Sequence, residues 1–219
     1  MFGLLTTAVS AACSFISSCA STIGGAIATA ATTLAPYISK ALEVVSTIVD
    51  IAKALGIIGN ETDPKELGYQ ATHSDKSPED FQSYKDYMKH IQSIEVDKEK
   101  LENANDAEKL AYLSIGSAVA LKGIAENKGV ESIDPHIMVS VSKFGGSLES
   151  QNLALDKHLE VFKSSSDTDR LAGYIDGNLE SAKDKIFISD RLNDIYKKLN
   201  PEMSEKEIYQ KVVNMEGSN

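Results

Sequence analysis

Apolar residues recur every three or four positions along most of this chain, which is the pattern of helices that bury one face. Such stripes are clearest after residue 60, for example Leu110, Leu113, Leu121 and Ile124. No segment alternates apolar and polar residues in the way that a half-buried strand does. We therefore predict an all-α protein, with a bundle of six or seven helices after residue 60.

Residues that start and stop helices divide this part of the chain into segments of helix length. Proline follows an N-cap residue at Ser77-Pro78 and at Asp134-Pro135, and Asn105-Asp106 and Ser204-Glu205 are further starts. Gly129 and Gly145-Gly146 are expected stops. The connections between predicted helices are short, which favours a compact bundle.

The first 39 residues have a different composition. They carry no charged side chain, and about half of them are Ala, Ser or Thr. Small residues repeat at intervals of four in two rows, a spacing that lets helix backbones approach closely. The first row is Ser17, Ser21 and Gly25, and the second is Gly24, Ala28 and Thr32. Plain low complexity is the alternative interpretation.

Two positions are expected to interrupt this N-terminal stretch. Gly24-Gly25 should divide it into two short helices, and Pro36 should begin a new one. From Pro36 onward, apolar residues follow a spacing like that of a coiled-coil seam. These residues are Ile38, Ala41, Val45, Ile48, Ala52 and Leu55.

Charge divides the chain at residue 59. Lys40, Glu43, Asp50 and Lys53 cancel one another, so the formal net charge of -10 belongs to the residues that follow. We predict an apolar helical segment at 1–59 for oligomerisation or membrane contact, and an acidic soluble helical domain at 60–219 that folds alone. The small-residue rows and the seam are the predicted contacts. The first segment then needs cover from a membrane, from copies of itself or from a larger assembly.

No motif for catalysis, a metal or a cofactor is present. The chain lacks a G-x-S-x-G elbow, a phosphate-binding loop and the HExxH spacing of a metal helix. We therefore predict no enzyme activity, no metal site and no cofactor, and we expect the four histidines to be structural or exposed. Cys13 and Cys19 are six residues apart on different helix faces, which disfavours a disulfide between them.

Phe81, Tyr84 and Tyr87 form an aromatic cluster on a predicted helix. Such a cluster is either part of the core or a surface for a partner. The acidic balance disfavours nucleic acid as a partner. No basic residue precedes Lys40, so an ordinary cleaved signal peptide is not expected.

These features favour a non-enzymatic structural or delivered component of a phage or bacterial injection apparatus. It would assemble with itself and with other components, in a virion or a secreted assembly. A pore-forming effector whose N-terminal hairpin inserts into a membrane is the second hypothesis. A helical adaptor or chaperone-like module that presents Tyr37 to Leu55 to a partner's groove is the third.

Overall fold

The computed structural model describes residues 2–217, with side chains from Thr6 onward. Within that range the chain forms thirteen α-helices, one 3-10 turn and no strand, so the predicted all-α multi-helix fold is confirmed. The chain divides into two compact units, Met1–Ile133 and Asp134–Asn219. The boundary predicted at residue 59 lies inside the first unit and does not coincide with this division.

The first unit contains eight helices and the 3-10 turn Pro78–Asp80. The helices are α1 (Phe2–Ser18), α2 (Ala20–Ile23), α3 (Gly25–Lys40), α4 (Glu43–Ala54), α5 (Pro64–Thr72), α6 (Tyr84–Gln92), α7 (Lys98–Asn103) and α8 (Asp106–Lys128).

Helix α8 is the centre of the first unit. Helices α1, α3, α4, α5 and α6 all pack on it, and its residues 114–121 are all buried. A helix enclosed on every side needs apolar or internally bonded side chains. The hydroxyls of Ser114 and Ser117 accordingly donate to the carbonyls of Leu110 and Leu113, each at 2.8 Å. The apolar side of the N-terminal helices is thus covered by a helix of the same chain.

Local signals set the ends of α8 as the sequence predicts. The Asn105 side chain accepts from the Glu108 N–H at 3.0 Å, and the Glu108 carboxylate accepts from the Asn105 N–H at 3.0 Å. This reciprocal cap satisfies two of the four free N–H groups at the start of the helix. At the other end Gly129 adopts φ +69°, the left-handed conformation that ends many helices.

The N-terminal breaks are only partly where the sequence places them. Gly24 separates α2 from α3, as predicted. Its backbone has φ +82° and ψ 143°, a conformation that residues other than glycine avoid. Pro36 does not begin a helix; it lies inside α3, and the next interruption falls at Ala41 and Leu42. The predicted seam therefore runs over two helices, with Ile38 in α3 and Val45 in α4.

The second unit contains five helices, α9 (Pro135–Phe144), α10 (Leu148–Val161), α11 (Ser165–Ile175), α12 (Ala182–Leu199) and α13 (Glu205–Val213). Helix α9 packs on α10 and α11, α12 packs on α10 and α11, and α13 packs on α12. Their fully buried residues include Leu155, Leu171, Ile188 and Leu192. The predicted starts at Asp134-Pro135 and Ser204-Glu205 are confirmed.

Nine helices follow residue 60 in the described range, rather than six or seven. The prediction missed α5, whose start is set by the Asp63 cap and by Pro64 in its first position. It also missed α7, which lies in the polar run after Asp97. The Ser77 cap forms as expected, but it starts only the 3-10 turn, and α6 begins later at Tyr84.

Candidate self-association surface

The exposed side of α1, α2 and the start of α3 is a surface without charges. We define the uncharged face as the exposed residues Thr6, Thr7, Ser10, Ala11, Ser14, Ser17, Ser18, Ser21, Gly25, Ala26 and Thr29. They recur three and four apart, so in each helix they follow one side. Helices α1 and α3 contact each other, and both bury their other side on α8.

Several hydroxyls of the uncharged face are bonded within their own helices. Ser14 donates to the Ser10 carbonyl at 3.0 Å, Ser17 to Cys13 at 2.9 Å and Thr29 to Gly25 at 2.9 Å. A hydroxyl that already has an acceptor loses less on leaving water than one without a partner. The face therefore resembles the small-residue surfaces along which helices pack closely.

The structure separates the two predicted rows of small residues. Ser17, Ser21 and Gly25 are all exposed and lie on the uncharged face. Gly24 and Ala28 are buried and Thr32 is half-buried, so this second row faces the interior of the unit. Only the first row is open to another molecule in this conformation.

The predicted seam is occupied by the protein itself. Ile38, Val45, Ile48 and Ala52 are buried, because α3 and α4 pack on α8. Ala41 and Leu55 are half-buried. The pattern identified a buried helix face correctly, but its partner is a helix of the same chain and leaves no open seam for a sister copy.

Pro36 is accommodated inside α3 by a contact from α1. Proline has no N–H, so the Thr32 carbonyl lacks its usual donor four residues later. The Cys13 Sγ lies 4.0 Å from that carbonyl oxygen and directs a weak S–H donor toward it. Burial also raises the pKa of the Cys13 thiol, which keeps the donor protonated. Both cysteines are free.

The aromatic cluster contributes to the core of the first unit. Tyr87 is fully buried, and the Tyr84 hydroxyl donates to the Val119 carbonyl of α8 at 2.6 Å. Burial raises the pKa of both phenols, so both keep their protons. Phe81 is half-buried and stands edge-on to Tyr87, with ring centroids 5.7 Å apart. Of the two interpretations of this cluster, its burial favours the core.

Two helices approach each other very closely at a pair of glycines that was not among the predicted contacts. Helices α5 and α8 cross at Gly68 and Gly116, where their backbones touch. A Cβ on Gly116 would overlap the Pro64 carbonyl, and one on Gly68 would overlap the Tyr112 carbonyl. Farther along α8, Ile57 packs directly on Gly123. A glycine inside a helical pattern is the available signal for such close approach.

The four histidines differ in burial and in the groups near them. His158 is fully buried in the second unit, whereas His73 is exposed. His136 lies 2.8 Å from the Asp134 carboxylate, and the Nε2 of His90 lies 3.1 Å from Asp75. Within the described residues, no group of three His, Cys, Asp or Glu side chains is placed to hold a metal ion.

No family model, characterised protein or solved structure matches this chain. Among the helices within residues 2–217, none combines the length and the hydropathy needed to cross a membrane.

Proposed function

We propose that this chain is a non-enzymatic structural or delivered component of a phage or bacterial injection apparatus, and that it self-associates through the uncharged face. The uncharged face on α1, α2 and the start of α3 is the observation that carries the proposal. Ser140 and His158 form a hydrogen bond of the kind that serine–histidine catalysis uses. Both side chains are fully buried, so a substrate has no access to them, which favours a non-enzymatic role.

Charge favours this face as the contact between copies. The chain has a formal net charge of -10, all of it from residues after 59. Two copies that meet through their acidic surfaces repel each other. The residues of the uncharged face bring no like charges together when two copies meet through them; the exposed Glu79 carboxylate, beside Gly24, lies at the border of this face.

Small side chains favour a close contact. Ser17, Ser21 and Gly25 are the exposed row, and an added Cβ at Gly25 would meet no atom within 4 Å. The backbone of a second copy can therefore approach this row closely, which increases the van der Waals contact between helices. The α8 side of the same helices is already occupied, so the outer side is the one available for assembly.

The test is sedimentation velocity of the full chain over a range of concentrations, with Ser17→Glu as the variant. A carboxylate at Ser17 would face its counterpart across the contact. We expect association at least about tenfold weaker, because opposed like charges cost several kcal/mol.

Ser46→Glu is the matched control. Ser46 is exposed on α4, and its hydroxyl bonds to the Leu42 carbonyl at 3.3 Å, as Ser17 bonds within its own helix. This variant should associate like the unchanged chain. A chain that stays monomeric at all concentrations would refute self-association. Binding to neutral phosphatidylcholine vesicles with release of trapped dye would favour the membrane-active alternative instead.

A further inference from the structure

His158 is held in one neutral form at the centre of the second unit. Its ring is fully buried, with Nδ1 2.7 Å from the Ala154 carbonyl oxygen and Nε2 2.9 Å from the Ser140 Oγ. A carbonyl oxygen only accepts, so Nδ1 carries the proton and Nε2 accepts the proton of the Ser140 hydroxyl. In this neutral form each ring nitrogen has one hydrogen-bond partner, and the Ser140 hydroxyl has an acceptor for its proton.

The C-terminal end of the described chain covers this pair. Met215 comes two residues after α13 and is 2% exposed. Its sulfur lies 3.8 Å from the Ser140 Oγ and 3.9 Å from the Tyr196 hydroxyl. The sulfur of Met215 therefore closes the polar cluster formed by His158, Ser140 and Tyr196.

A proton on Nε2 would be poorly accommodated here. The ring would become a donor toward Ser140, whose hydroxyl would have to turn toward the Met215 sulfur, a weak acceptor. A charged ring without a carboxylate partner also loses its hydration when it is buried.

Several charged or titratable groups on the helices around the cluster are paired with one another. On α9, the His136 ring lies 2.8 Å from the Asp134 carboxylate. On α10, the Lys157 ammonium donates to the Glu160 carboxylate at 2.8 Å. Beyond α13, the Glu216 carboxylate accepts from the Lys185 ammonium at 2.6 Å. Tyr196 of α12 titrates, but burial raises its pKa and keeps it neutral. Burial lowers the pKa of His158 to about 4, opposed only by the Ala154 hydrogen bond among the described residues.

We propose that His158 operates an acid-sensitive latch, in which its protonation opens the segment from α13 to Met215 while the first unit stays folded. Helix α13 is the last helix of the second unit and packs mainly on α12. Its other attachments include the Lys197–Glu205 pair at 2.9 Å, which is exposed, and the Tyr174 hydroxyl on the Val212 carbonyl at 3.2 Å. Opening this segment removes Met215 from the Ser140 hydroxyl and so admits water to the cluster that contains His158.

The direction of the pH effect follows from the two states. In the open state His158 is hydrated and has an ordinary pKa of about 6.5. The closed state is therefore favoured over the open state by its full free-energy difference above about pH 6.5. It loses this stability as the pH falls toward 4. Between pH 7.5 and pH 5, the ratio of closed to open molecules should fall about 30-fold.

Hydrogen exchange followed by mass spectrometry on the full chain tests the latch. After correction for the intrinsic exchange rate at each pH, peptides from α13 should show about 30-fold more opening at pH 5 than at pH 7.5. Peptides from α5 and α8 should change far less. His158→Gln keeps an acceptor for Ser140 but cannot take the proton, so its α13 peptides should lose the pH response.

His73→Gln is the control, because His73 is exposed in the first unit and should leave the response intact. Equal responses in His158→Gln and the unchanged chain would overturn the proposal, as would equal opening of α13 and α8. If His158→Gln does not fold, NMR titration of the unchanged chain decides. A His158 ring that titrates near 6.5 without loss of α13 protection would also overturn the proposal.

Discussion

The contact between Gly68 and Gly116 gives the sharpest prediction about stability. Each glycine lies where the backbone of α5 meets the backbone of α8, and an added Cβ would overlap a carbonyl group of the other helix. A side chain could turn away from such an overlap, but a helix backbone cannot. To restore ordinary contact distances, the helices would have to separate by roughly 1 Å or more.

The expected magnitude follows from two opposing effects. Overpacking of a close contact costs about 3 kcal/mol at the upper end of the usual range. Alanine is favoured over glycine inside a helix by about 1 kcal/mol. We therefore expect Gly116→Ala to destabilise the first unit by about 2 kcal/mol, the difference between these contributions.

Urea unfolding followed by circular dichroism at 222 nm measures this change. Gly25→Ala is the control, because Gly25 is exposed and an added Cβ there meets no atom within 4 Å. It should change stability by less than about 0.5 kcal/mol. The double variant Gly68→Ala with Gly116→Ala should cost less than the sum of the single changes, because the first already separates the helices. A Gly116→Ala protein as stable as the Gly25→Ala protein would refute the argument.

Two further predictions concern α3 and the limits of the units. Pro36→Ala restores an N–H donor to the Thr32 carbonyl and should stabilise the first unit by about 1 kcal/mol or more; a lower urea midpoint would contradict this. Residues 134–219 should give a cooperative thermal transition alone, because their helices form one compact unit. Residues 61–219 should keep that transition but lose the helicity of α5 to α8, since α8 would lack α1, α3 and α4. A 61–219 chain with full helicity would support the boundary predicted from charge.

Much of the secondary structure could be predicted because its causes are local. The caps at Asn105 and Ser204 and the stop at Gly129 depend on hydrogen bonds and backbone angles within a few residues. The prediction that Pro36 begins a helix was wrong, and the reason is a contact distant in sequence. Proline alone argues for the start of a helix, but α1 brings the Cys13 thiol to the unsatisfied carbonyl, and this contact depends on the tertiary fold.

The candidate surface was also predicted only in part. The lack of charge in the first 39 residues and the row Ser17, Ser21 and Gly25 could be recognised in the sequence. The sequence could not show which row faces outward, because both rows have the spacing of a helix interface. The Ser140 contact with His158 joins residues 18 positions apart on different helices, and no motif marks it.

The sequence by itself determined that the chain is helical, where many of its helices begin and end, and which faces are apolar. These properties come from side-chain periodicity and from hydrogen bonds between near neighbours. Only the tertiary structure decided what covers each apolar face. Helix α8 belongs to the acidic part of the sequence yet packs against α1, α3 and α4, which carry no net charge, so the division by charge is not the division by packing. Packing depends on the shape and apolar area of surfaces far apart in sequence, and net charge does not report either.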